Sequence, residues 1–62
     1  MPLETDTGKI VRRLLQDGWH LHRNGANHDI YRHLDKGAIQ VPRHRVLSPG
    51  VARNIAKAAG WV

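Results

Sequence analysis

The sequence predicts an α+β fold in the order helix, three strands, helix, with one three-stranded antiparallel sheet and both helices on the same sheet face. Three observations predict it. Apolar residues recur at helical spacing near both ends of the 62-residue chain, short stretches with strand character fill its middle, and turn-forming residues separate these stretches. Stacking both helices on one side buries every apolar stripe together and leaves the other sheet face open. Residues 1–62 are read as a single domain, with the polar residues 1–6 expected to be flexible.

The first helix is expected from Gly8 to Asp17. Ile10 with Leu14, and Val11 with Leu15, form two apolar pairs four residues apart, while Lys9, Arg12, Arg13 and Gln16 fall on the other side. Thr7 suits the N-cap, where a hydroxyl accepts from a free amide, and Gly18 suits the stop. Strands follow at Trp19–Arg23, Asp29–His33 and Ala38–Val41. In the first, Trp19 and Leu21 alternate with His20 and His22. In the second, Ile30 and Tyr31 are adjacent, so alternation does not say which one faces the core. In the third, Ile39 and Val41 share a face, and Pro42 closes the strand or marks an edge because it has no amide hydrogen. Asn24-Gly25 and Asp35-Lys36-Gly37 are the turn signals, with positive φ favoured at both residues of the first. After a loop over 42–47, Ser48 and Pro49 suit the N-cap and first position of a second helix. Its buried stripe is expected at Val51, Ile55, Ala58 and Ala59, and Gly60 ends it with Trp61 folding back.

Composition narrows the function. Ten Lys and Arg stand against five Asp and Glu, a formal net charge of +5. Such an excess on a small domain attracts polyanions, with nucleic acid first among them. The absence of cysteine excludes disulfides, thiolate chemistry and Cys-type zinc sites. The N-terminal residues hold no apolar core of a signal peptide, and no apolar run approaches a membrane span, so a cytoplasmic protein is expected.

Several local patterns, taken in order and at their spacing, resemble the HicA toxin family. The helix ending in Gly18-Trp19 is similar to the family's opening, and Arg23 occupies its recurrent basic position. Asn24-Gly25-Ala26-Asn27-His28 resembles the turn that delivers the family's catalytic histidine, with Ala26 where related turns carry Ser. Val41-Pro42-Arg43-His44 resembles the family's Val-Pro-Arg-His segment, and Gly50 to Gly60 its closing helix. The resemblance implies a fold similar to the double-stranded-RNA-binding domain, and an endoribonuclease toxin that cuts mRNA without a metal or other cofactor. It further implies a HicB-type antitoxin that binds the toxin in a hetero-oligomer and blocks its site.

The residues carry this chemistry in a specific way. RNA cleavage without a metal uses the neighbouring 2′-hydroxyl as nucleophile and needs a base, an acid and positive charge at phosphorus. Histidine serves as base or acid because its unperturbed pKa of about 6.5 lies near neutrality. His28 follows a turn and starts a strand, so it is the expected catalytic residue; its bland alternative is a polar strand-end histidine. His33 is five positions on and expected on the opposite face, a further candidate for the second proton-transfer group. Arg23, Arg32, Arg43 and Arg45 are expected phosphate contacts, since the planar guanidinium can hold two phosphate oxygens. Asn27 and His44 are further expected RNA contacts. Residues 48–51 offer a helix N-terminus as a phosphate seat, or an ordinary capped helix. His20 and His22 share a strand face, yet no carboxylate lies at a ligand spacing, and a solvated face is the expected reading. A non-catalytic double-stranded-RNA-binding module is the principal alternative: it would share fold and charge and have no need of His28.

Overall fold

The elements follow the expected order. The structure, a computed structural model, describes residues 3–62; Met1 and Pro2, part of the expected flexible end, lie outside the described residues. Helix α1 spans Thr7–Gln16, strands β1, β2 and β3 span His20–Asn24, His28–His33 and Gly37–Pro42, and helix α2 spans Pro49–Ala59. The strands form one antiparallel sheet in the order β1-β2-β3. This is the α-β-β-β-α arrangement of the double-stranded-RNA-binding-domain-like folds.

Strand parity decides which side is buried. Tyr31 pairs with Ile39, and Asp29 with Val41. Tyr31, Ile39 and Val41 are buried in one cluster with Ile10 and Leu14 of α1 and Ile55 of α2. The helices therefore cover the odd-numbered face of β2 and β3. Tyr31, not Ile30, turns inward, at 7% exposure. Trp19, only 2% exposed, joins the core from just before β1.

Both helices bury a narrower or rotated stripe compared with expectation. In α1, Ile10 and Leu14 are buried, Val11 is half-buried and Leu15 is 53% exposed. A ten-residue helix on a three-stranded sheet has room for one full stripe. In α2 the buried residues are Ala52, Ile55, Ala56 and Ala59, while Ala58 is exposed and Val51 half-buried. Positions 52, 55, 56 and 59 complete one helical face, and alanines are too alike to show by hydropathy which of them faces inward.

The helix caps divide between agreement and correction. Ser48 caps α2 as expected: its Oγ accepts from Val51 N at 3.4 Å, and Pro49 takes the first position. Gly60 ends α2 in the left-handed region at φ 80°. Trp61 folds back, with its amide donating to Ala56 O at 2.8 Å and its Nε1 to Asp17 Oδ2 at 2.5 Å. Arg13 stacks on the Trp61 ring at 4.3 Å, so the end of the chain is tied to the end of α1. The cap of α1 is Asp6 rather than Thr7: the Asp6 carboxylate accepts from Gly8 N at 3.1 Å. A carboxylate there also meets the positive end of the helix dipole.

Thr7, freed from capping, fixes the loop before α2. Its amide donates to Arg45 O at 3.1 Å, and its hydroxyl donates to His44 O. Residues 5 and 6, inside the stretch read as flexible, pair with the same loop: Leu47 N donates to Thr5 O at 2.8 Å, and Asp6 bridges Val46. Leu47 is itself buried, so this loop carries a core anchor.

Candidate functional site

Two irregularities in the β1–β2 hairpin shape the candidate site. The first is the turn. Neither Asn24 nor Gly25 has positive φ, contrary to the sequence expectation. Gly25 N instead donates to His28 O at 2.7 Å, which leaves Ala26 and Asn27 as the loop. Gly25 is needed there for space: an added Cβ would lie 2.6 Å from the His28 carbonyl oxygen and 3.6 Å from its ring. The glycine thus lets the backbone close directly against His28.

The second irregularity is a β-bulge. Leu21 pairs with Tyr31, but Arg23 pairs with Ile30, so His22 is an extra residue in β1. In a regular pairing of the same residues, Arg23 would fall on the face of Leu21 and Tyr31. With the bulge, Arg23 stands opposite Ile30 on the open face, and such re-aiming of a side chain is a general effect of bulges. The open face then carries His20 and Arg23 from β1 together with His28, Ile30 and Arg32 from β2. None of its residues is acidic. Arg32 pairs with His20 at the far end of the sheet, about 13 Å from His28 along the strand.

His28 starts β2, is half-buried, and pairs with Pro42 at the end of β3. Beside it runs a groove of about 550 Å³ along the free edge of β3. Its walls are Ala38, Gln40 and Pro42 on one side and Val51, Asn54, Ile55 and Ala58 of α2 on the other. Asn27, His28 and His44 also line it. The helix runs antiparallel to β3, held at its C-terminal end by Lys36, whose Nζ donates to Ala59 O at 3.1 Å. Among the described residues, no Asp, Glu, Lys or Arg lines the groove. Asn54 and Gln40 were not singled out by sequence, because a lone amide on an exposed face carries no spacing signal.

The other expected site residues separate into groups. Arg43 is held by Asp29, with Nη2 at 2.8 Å and Nε at 2.9 Å from the same carboxylate oxygen. Its amide donates to Asn27 O at 3.1 Å, joining the loop before β2 to the end of β3. Arg43 therefore braces the hairpin, and its charge is already matched. Arg45, His44 and Asn27 are exposed. His33 lies with Trp19, ring centroids 5.2 Å apart, and its Nδ1 accepts from Asp35 N at 3.0 Å. That position belongs to the covered side, away from His28. His20 and His22 meet no third side chain of ligand type among the described residues. The amide of Val51 at the start of α2 is taken by Ser48, which favours the ordinary capped helix over a phosphate seat. Burial, with the charge of Asp29 adding to it, raises the Tyr31 hydroxyl above its usual 10.0 and keeps it neutral at physiological pH.

No helix among the described residues is long and apolar enough to cross a membrane. A comparison with curated proteins found no match. The family model for the HicA toxin of bacterial toxin–antitoxin systems matches residues 8–61, from the first turn of α1 to Trp61. The order of elements, the span of that match and the open basic sheet face agree, and the chain belongs to the HicA toxin family.

Proposed function

We propose that this toxin is a metal-independent endoribonuclease that cuts mRNA, with His28 as its catalytic residue. The observation that carries the reading is the placement of His28. It opens the central strand, is closed upon by Gly25, and lines a groove that meets an open face bearing Arg23 and Arg32. An imidazole in that position can take the proton of a 2′-hydroxyl or supply one to a leaving 5′-oxygen. Arg23, Arg32 and Arg45 draw the phosphate backbone, Asn27 and His44 contact the strand beside the cut, and Arg43 holds the hairpin in place through Asp29. The chain acts in the cytoplasm, where mRNA is found.

A HicB-type antitoxin is expected on the same open face. The helices leave that face uncovered, and its cations suit an acidic or apolar partner. The partner silences the toxin by occupying the site, so RNA and antitoxin compete for it.

Induced expression of wild type beside His28→Ala tests the reading. Wild type is expected to arrest growth and deplete intact mRNA, and the variant to do neither while accumulating as a folded protein. A variant that depletes mRNA as wild type does would remove His28 from the reaction. RNA binding with no cleavage by either protein would instead favour the double-stranded-RNA-binding module.

A further inference from the structure

We infer that His44 is the second proton-transfer group of the reaction, paired with His28 across the groove; the inference rests on the endoribonuclease reading above. Among the described residues, His28 and His44 are the only titratable side chains that line the groove. Every other lining group is apolar or a neutral amide, so no carboxylate or lysine is present there to share proton transfer. His33 is removed by geometry, since its ring lies with Trp19 on the covered side. Tyr31 is removed by burial and stays neutral.

The backbone of His44 is fixed from both sides while its side chain stays exposed. Thr7 holds the carbonyls of His44 and Arg45, and Asn27 holds the amide of Arg43. Asn27 is also the residue before His28, so one hydrogen bond couples the two histidine-bearing segments. The charges flanking His44 are Arg43, matched by Asp29, then Arg45, and Asp6 at the cap of α1. Preorganised placement of this kind is what a general acid or base needs.

The step balances with two imidazoles. The 2′-oxygen bonds to phosphorus as its proton passes to the neutral ring. The bond from phosphorus to the 5′-oxygen breaks as the protonated ring gives that oxygen a proton. The products are a 2′,3′-cyclic phosphate and a 5′-hydroxyl. One ring must start neutral and the other protonated, so the rate passes through a maximum with pH.

The test compares wild type, His44→Ala, His44→Gln and His28→Ala on one short RNA across a range of pH. A second substrate carries sulfur in place of the leaving 5′-oxygen, a group that departs without a proton. Wild type is expected to give a bell-shaped profile. Each histidine variant is expected to fall ~10²–10⁴-fold and to lose one limb, the two losing opposite limbs. The variant of whichever histidine acts as acid is expected to recover on the sulfur substrate, and the variant of the base is not. If both His44 variants keep the bell and cut within threefold of wild type, or change KM alone, His44 is not a proton-transfer group. A wild-type protein that cuts neither substrate would overturn the endoribonuclease reading and this inference with it.

Discussion

His28 and His33 begin and end the same strand, yet their surroundings differ in almost every respect. His28 faces a groove beside the open face, with a glycine pressed against its carbonyl. His33 lies with Trp19, and its Nδ1 accepts from the amide of Asp35. Five positions is an odd step, so the two rings fall on opposite sides of a sheet covered on one face only. The same residue type is thus left available for proton transfer at one end and used for packing at the other. The lesson is that parity, together with the bulge that resets it in β1, distributes the roles, and residue type alone does not.

The largest expected effect breaks this comparison directly. His28→Ala is expected to lower RNA cleavage ~10²–10⁴-fold with the melting temperature nearly unchanged. His33→Ala is expected to do the reverse: it loses about 1–2 kcal/mol of stability, from one hydrogen bond and the contact with Trp19, and keeps full cleavage per folded molecule. Chemical denaturation and single-turnover cleavage of the two variants separate these outcomes. A His33 variant that folds normally but does not cut would end the division of roles.

A smaller effect is expected at the hairpin. Gly25→Ala forces a Cβ to within 2.6 Å of the His28 carbonyl, so the backbone must shift. The expected loss is about 1–3 kcal/mol, with a fall in cleavage beyond what unfolding explains, because the shift moves His28 itself. Cleavage measured well below the melting temperature separates the two contributions.

Replacing Arg23 sharpens the comparison at β1. Arg23→Gln removes the cation that the bulge sets opposite Ile30 on the open face. The slope of log RNA affinity against log salt is then expected to become shallower by about one, the share of one phosphate contact. An unchanged slope would show that Arg23 contributes nothing to binding RNA.

The smallest effect concerns pH. The Tyr31 hydroxyl titrates above 10.0 in the folded chain, because burial and then Asp29 disfavour its anion. The unfolded chain therefore ionises first, and stability declines as pH rises from about 10 through the folded value. Tyr31→Phe is expected to flatten that alkaline decline in a denaturation series, and to leave stability at pH 7 within about 1 kcal/mol.

Much of this was legible from residues whose chemistry acts locally. Ser48, Pro49 and Gly60 mark the bounds of α2 by backbone preference, and Ile39 with Val41 mark the inner face of β3 by alternation. The fold departs from these local preferences where the outcome depends on distant partners. Thr7 is a sound cap by type, but Asp6 takes the role because Thr7 is engaged with the loop carrying His44. The ion pair of Arg43 with Asp29 likewise leaves no mark in the sequence, because it needs β2 and the end of β3 side by side. The bulge at His22 leaves no mark in composition, and the groove needs β3 and α2 side by side before His44 and Asn54 meet it.

The most direct measurement is the chemical nature of the ends produced when the purified protein cuts a defined RNA in excess chelator. Wild type is expected to leave 2′,3′-cyclic phosphate and 5′-hydroxyl ends, to spare a substrate with a single 2′-deoxy sugar at the cut, and to lose this activity on His28→Ala. Cleavage that stops in chelator, leaves 5′-phosphate ends, or persists at the wild-type rate in His28→Ala would contradict a metal-free reaction run by that histidine.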